Sequence, residues 1–213
     1  MEEPVTIIGA GGHAKVVIAT LRMAGYNVFV ALDDDRLKWG SEVLGVRVTG
    51  PVSSMKPGAR AVIAIGDNAA RLRVSRQLTA EWISAVHPSA IVHDREAIGA
   101  GSVVLAGAVI QPGASIGAHV IVNTAATVDH DCRVGDFAHL APGVHLAGGV
   151  SVGNGAMLGV GAVTIPGVSI GEWSTVGAGS VVLRDLPPKV IAFGVPATIA
   201  QHAHEESDHK NET

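Results

Sequence analysis

The chain is short of several things that most proteins of its size have. It holds one cysteine, Cys132, among 213 residues, so an intrachain disulfide is excluded and a reducing, cytoplasmic setting is expected. It has no apolar run near the length of about 18 residues that a membrane span requires, so no membrane partner is expected. The opening residues MEEPVTIIGAGG lack the basic stretch of a secretory signal. Lys and Arg total 15 against 19 Asp and Glu, a net charge of -4, which argues against nucleic acid as a partner. Charged residues are only 16%, and the mean hydropathy of +0.37 is too apolar for a disordered chain.

Aromatics are the sharpest shortage, at 3%. Most cores use Phe, Tyr and Trp to fill volume. A core without them must be narrow and built from small aliphatic side chains. Glycine, by contrast, is abundant at 27 residues. That pairing suggests a repeat architecture.

The repeat has a period of six. Stepping from Val92 through Ile98, Val104, Ile110 and onward to Val182 gives sixteen positions, of which all but Thr164 are Val, Ile or Leu. Four residues after each position from Ile98 to Val176 lies a small or medium side chain, from Ser102 and Ala108 through Cys132 to Ser180. No helix produces a period of six. Short strands ending at corners do, and three edges make a triangular coil of 18 residues, so about five coils fit between 90 and 185. Cys132 falls on an inward position and reads as core. His139 and His145 each precede an inward aliphatic residue and should point outward.

Residues 4–86 have a different grammar. Val5 to Ile8 reads as a strand, Gly9 to His13 as a glycine-rich turn, and Ala14 to Met23 as a helix ended by Gly25. A second strand, Asn27 to Leu32, closes on Asp33-Asp34-Asp35. A third, Ala61 to Ile65, precedes Gly66-Asp67-Asn68 and a helix from Ala69 to Thr79. Such alternation implies a small parallel sheet. The turn suits a phosphate at a helix N-terminus, and the acids after the second strand suit the edge where nucleotides bind. A plain structural turn and a solvated acidic loop account for the same residues. The organisation expected is therefore 1–86 as a Rossmann-like βαβ unit, 87–198 as a parallel β-helix, and 199–213 as a flexible polar tail carrying His202, His204 and His209.

Chemistry concentrates at Asp129-His130-Asp131, between the inward Val128 and Cys132. An outward histidine flanked by carboxylates suits base catalysis, because a carboxylate fixes the tautomer and stabilises the imidazolium. Either acid could do so. Adding one coil to 130 gives Gly148, whose bare N–H could face a developing oxyanion, or which could be a tight corner needing positive φ.

Four segments together carry a family resemblance: Gly-Ala-Gly-Gly-His-Ala-Lys at 9–15, Ile-Ala-Ile-Gly-Asp-Asn at 63–68, Asn-Thr-Ala-Ala-Thr-Val-Asp-His-Asp-Cys at 123–132, and Gly-Val-Pro-Ala at 194–197. The chain resembles the bacterial hexapeptide-repeat N-acetyltransferases of nucleotide-linked 4-amino sugars, which are close to the sialic acid O-acetyltransferases. The resemblance implies a left-handed β-helix and a homotrimer with sites between subunits. It implies acetyl-CoA as donor, no metal, and a nucleotide-activated 4-amino-4,6-dideoxysugar as acceptor. It also implies roles. Gly11, Gly12 and His13 would hold the pyrophosphate, Asp33 and Asp34 the base, with Gly66 and Asn68 in the same pocket and Asn123 near the sugar. His130 would be the general base, oriented by Asp131. His139 and Gly148 would meet the acetyl end of the cofactor, and Ala178 with Gly194, Val195, Pro196 and Ala197 the remainder. Many members carry Lys or Arg after the last motif, where this chain has Thr198. Alternatives of other classes are a sugar O-acetyltransferase, a non-enzymatic sugar-nucleotide binder, and a trimeric β-helix with a metal on His130, His139 and His145.

Overall fold

The computed structural model describes residues 3–202. The N-terminal unit comprises β1 (Thr6–Ile8), α1 (Gly12–Met23), β2 (Val30–Leu32), β3 (Glu42–Val43), β4 (Val46–Gly50), β5 (Arg60–Ile63), α2 (Asn68–Gln77) and β6 (Glu81–Trp82). The strands form one sheet in the order β3-β4-β2-β1-β5-β6, parallel except for β3. The β3–β4 hairpin turns on Leu44 and Gly45, both at positive φ. This hairpin and β6 have no counterpart in the sequence reading: β3 and β6 are two residues each and carry no countable alternation, whereas β4 does alternate buried and exposed residues over Val46–Gly50.

Burial explains the layers. Val17, Ile18 and Leu21 recur at helical spacing on α1 and are buried against one face of the sheet with Ile7 and Val62. Ile8, Leu32, Met55 and Ile63 form a second cluster on the other face, joined by Val74 from α2. From β1 the chain crosses to β2 on one side and reaches β5 on the other. The strand order thus switches at β1, and in open parallel sheets the crevice beyond the strand ends at such a switch is where ligands bind.

From Ala85 the chain winds as a three-sided parallel β-helix of two-residue strands, the first, Ala85–Val86, pairing with Val103–Val104. As far as Val182 the pairings along the coils are offset by 18 residues: Val122 pairs with Leu140, Leu140 with Leu158, and Leu158 with Val176; at the last coil, where Val176 pairs with Ala192, the offset shortens to 16. The sixfold aliphatic positions form the core with the small residues four places on, Cys132 among them. Val92 and Ile98, at the N-terminal end, and Thr164, beneath Val182, are only half-buried. Corners need left-handed backbone. Glycine supplies it at positions such as 107, 113 and 149, and His119, Ala125, Asp131, Phe137 and Trp173 adopt it without being glycine.

The three faces are stacks of strands. The first runs through Ile121–Val122, His139–Leu140 and Met157–Leu158, the second through Thr127–Val128, His145–Leu146 and Val163–Thr164, and the third through Arg133–Val134 and Ser151–Val152. The N-terminal unit docks on the first face, where Val103 and Leu105 join the α1 core cluster. At the far end Val190–Phe193 pairs with the antiparallel strand Thr198–His202. That strand runs into the expected polar tail and corrects its start, since the backbone of 198–202 is held by sheet pairing that polarity did not reveal. Residues 203–213, with His204 and His209, lie outside the described residues.

Candidate functional site

A cleft of about 410 Å³ opens beyond the C-terminal ends of β1, β2 and β5. Gly11, Gly12, His13, Asp33, Asp34 and Gly66 line it together. The glycines differ in kind. Gly9, at φ +100, leaves no room for a Cβ, which would meet the Ile65 side chain at 2.8 Å. Gly11 and Gly12 have ordinary φ, and a Cβ on either would touch nothing within 4 Å. Packing does not demand them, whereas a ligand lying against the turn would. No side chain caps α1 at Gly11 and no acid stands in its first turn, so its first N–H groups remain available to an anion.

The two acids part company. Asp33 is buried and spent: its carboxylate accepts from Ala10 N at 2.7 Å, from Asp35 N at 2.9 Å and from Lys38 Nζ at 3.0 Å. Burial works to raise its pKa, but these bonds outweigh that and hold it below the usual value. Among the described residues Asp34 accepts only from Val52 N, at 2.8 Å, through Oδ1. Its second oxygen is the one the pair can offer to a base.

Asn68 does not line the cleft. Its amide donates to Gly155 O at 3.0 Å and Ala156 O at 3.2 Å, and its carbonyl accepts from Arg71 Nη2 at 2.9 Å. It is a buried brace between the sheet and the coils, and it lines, with Gly66, a neighbouring cleft of about 350 Å³ and not the one at the glycine turn. The proximity of Gly66 in sequence concealed this, because Asp67 caps α2 and turns Asn68 away.

Arg71 went unnoticed in the sequence and is the largest fully buried side chain. It donates to Ile65 O and Gly66 O at the cleft, and to His119 O and Phe137 O on the coils, at 2.7 to 3.0 Å. Burial lowers its pKa to about 10, against the opposing pull of the Asp67 carboxylate. Its charge acts on three histidines around it. His13, His119 and His139 are each lowered to about 4, by burial first and by Arg71 second. All three are therefore neutral near pH 7. The available signal was one arginine on the face of α2 that should pack on the sheet, which a hydropathy pattern does not register.

His139 leaves its coil outward, as expected, but into this interface, where it is buried. Its Nδ1 faces Gly66 O at 3.3 Å and its Nε2 faces Asn123 Nδ2 at 3.1 Å. A carbonyl only accepts, so Nδ1 carries the proton and Nε2 accepts from the amide. The Asn123 carbonyl accepts from Thr124 N at 2.8 Å. His13 lies 6.3 Å from His139, ring to ring, and its Nε2 is buried without a hydrogen-bond partner among the described residues. His145 is exposed on the second face, bonded through Nδ1 to Thr127 Oγ1 at 2.9 Å. Among the described residues no three His, Cys, Asp or Glu side chains gather as a metal site.

His130 occupies the corner between the second and third faces. Its Nδ1 donates to Asp131 Oδ2 at 2.8 Å, while Asp129 Oδ1 accepts from its backbone N–H at 2.7 Å. The two acids thus divide the work: Asp131 orients the ring and Asp129 braces the main chain. The Asp131 bond, followed by the charge of Asp129, raises the His130 pKa. Asp131 holds a left-handed conformation, φ 59, to make this bond. With Nδ1 engaged, Nε2 is the free basic atom.

Gly148 stands one coil above. A Cβ there would collide with His130 Nε2, and the ordinary φ of Gly148 leaves the corner conformation to Gly149. Gly149 N donates to His130 O at 2.8 Å and Gly167 N to Gly148 O at 3.0 Å, so the column runs straight. Cys132 Sγ donates to Ala147 O at 3.1 Å within the core. Continued in register, the column passes Pro166 and reaches Arg184. Arg184 shares a cavity of about 170 Å³ with Pro196, Ala197 and Thr198. Ala178 is exposed on another corner, Gly194 sits at φ +105 and Val195 is exposed before a cis Pro196.

Comparison with known proteins places this geometry. The family described as the PglD N-terminal domain matches residues 4–78. PerB from Caulobacter crescentus, solved in complex with CoA and GDP-perosamine, is 46% identical; the match covers 94% of this chain and 99% of that one, with a TM-score of 0.86. The acetyltransferase domain of PglB from Neisseria gonorrhoeae, solved with acetyl coenzyme A, is 35% identical over 93% of this chain and 100% of that one, with a TM-score of 0.85. UDP-N-acetylbacillosamine N-acetyltransferase of Bacillus subtilis is 41% identical over 113 residues, 47% of this chain and 50% of that one. The chain spans about half the length of that relative, and less of the galactoside O-acetyltransferase of Escherichia coli.

Proposed function

Because the chain belongs to the hexapeptide-repeat nucleotide-sugar N-acetyltransferases, with their left-handed β-helix, we propose that it moves an acetyl group from acetyl-CoA to the 4-amino group of a nucleotide-linked 4-amino-4,6-dideoxysugar. The observation that carries this reading is His130: an exposed imidazole with Nδ1 tied to Asp131 and Nε2 facing the bare backbone of Gly148.

In this reading the cleft holds the nucleotide, with Gly11, Gly12 and His13 at the diphosphate and Asp34 at the base, so that residues 1–86 select the acceptor. Acetyl-CoA supplies an acetyl group already activated as a thioester. The space a Cβ at 148 would fill, and a Gly148 N–H with no partner among the described residues, fit the acetyl end. His130 Nε2 accepts the proton that the amine sheds as its nitrogen bonds to the acyl carbon. Asp131 stabilises the imidazolium. The Gly148 N–H donates to the acyl oxygen while it carries charge. As the carbon–sulfur bond breaks, His130 returns its proton to the departing sulfur, and no group of the chain is acylated. Arg184 lies three coils along from His130, roughly 14 Å at the usual strand spacing. It offers a coenzyme phosphate the cation that Thr198 does not.

The acting form is a homotrimer. His130 stands between the second and third faces, whereas the cleft meets the coils at Gly66 and His139 on the first. One chain therefore does not bring acceptor and base together, and a neighbour's His130 does. The second face offers the surface for it: Ile91 is 57% exposed, Val109, Val163 and Val181 follow it in register, and Val160, Ile165 and Leu183 flank them. No helix among the described residues is long and apolar enough to cross a membrane. The cytoplasm, where sugar nucleotides and acetyl-CoA meet, is its place of work. Mass spectrometry of the product tests the reaction: an acetyl group on the amine supports it, and one on a hydroxyl replaces it with O-acetylation.

A further inference from the structure

From the cleft we infer that Lys38 is the cation that holds the acceptor's diphosphate, an inference that rests on the nucleotide reading above. Among the described residues, Lys38 is the only Lys or Arg lining the cleft. His13, which also lines it, is neutral near pH 7. A diphosphate bridging a nucleoside and a sugar carries two negative charges, and helix N–H groups offer only partial positive charge in return.

Position decides the assignment. Lys38 Nζ lies 3.0 Å from Asp33 Oδ2, and the same oxygen accepts from Ala10 N at 2.7 Å. The ammonium is therefore tethered two hydrogen bonds from Ala10, the second residue of the glycine turn, in the cleft that Gly11 and Gly12 also line. The carboxylate does not depend on Lys38 for satisfaction, since Ala10 and Asp35 already donate to it. An ammonium has three donors. One is used on Asp33, and the contact to Asp35 is a long 3.9 Å. The side chain remains 36% exposed. Asp33 so near the turn would repel a diphosphate if left unneutralised. Lys38 removes that repulsion and turns its remaining donors to the phosphate oxygens. Asp33 acts here as the tether that sets the ammonium in place, a different task from contacting the base.

The test compares ligands with and without the charge. Binding of GDP, UDP and TDP, and of guanosine, uridine and thymidine, is measured by calorimetry for the wild type, Lys38→Met and Lys38→Arg, with thermal melts to verify folding. The inference predicts that Lys38→Met weakens the bound diphosphate by about tenfold or more. It predicts that the matching nucleoside is unaffected, that Lys38→Arg recovers most of the loss, and that added salt weakens the wild type more than Lys38→Met. Equal loss for diphosphate and nucleoside would reduce Lys38 to a brace for its loop and overturn the inference, as would an unchanged diphosphate affinity. A wild-type protein that binds none of the three diphosphates would overturn the nucleotide reading and this inference with it.

Discussion

At the scale of single residues, the account turns on how His130 is held. Its pKa is raised by Asp131, so the neutral base is lost as pH falls through a value above the ordinary 6.5, and turnover falls with it. Asp131→Asn removes the largest cause of the shift. Its pH–rate profile should move its acidic limb to lower pH while the plateau falls, whereas Asp129→Asn should move the limb less. An unmoved limb in Asp131→Asn would detach the two residues. His130→Ala should lower kcat by about a hundredfold or more with nucleotide affinity unchanged. Gly148→Ala is the complementary variant, since its new methyl group must displace the His130 ring. It should fold normally, bind nucleotide and turn over slowly. Asp34→Ala should weaken nucleotide binding by removing the free carboxylate oxygen. Asp33→Ala should weaken it too, through the turn and Lys38.

At the scale of elements, α2 is tied to the coils by Asn68 and, above all, by Arg71. Arg71 satisfies carbonyls of the β5–α2 loop and of two coil corners. Arg71→Met should cost on the order of 3 kcal/mol or more, read by denaturant unfolding, because several buried acceptors lose a charged donor. The histidines beside it make this junction sensitive to acid. Their folded pKa of about 4 lies below the unfolded 6.5. The unfolded chain therefore binds more protons between those values, and stability is lost as pH falls from 6.5 to about 4. His119→Phe should flatten part of that slope. His119 stacks on Phe137 at 5.1 Å, edge-on to Trp82, so an aromatic ring is tolerated there. The coil register was legible because a six-residue period acts on every side chain from Val92 to Val182. The burial of His139 was not, because periodicity states which way a side chain leaves its coil and says nothing of what packs over that face. Arg71 and Lys38 were missed since each works through hydrogen bonds to groups distant in sequence.

At the scale of the whole molecule, the cleft and His130 lie on different sides of one triangular prism, and the proposed trimer is what would bring them together. Sedimentation should report a trimer. Val163→Asp, which places a charge on the apolar second face, should yield monomers that still bind nucleotide and no longer turn over. Monomers that remain active would show that a single chain suffices.

Release of free thiol from acetyl-CoA by the purified protein tests the central claim most directly. The acceptors are UDP-, TDP- and GDP-linked 4-amino-4,6-dideoxysugars beside free sialic acid, with His130→Ala as the control. Rapid release with one nucleotide-linked amino sugar, abolished in His130→Ala, is the predicted result. Release with sialic acid alone, or release that survives His130→Ala, would contradict it.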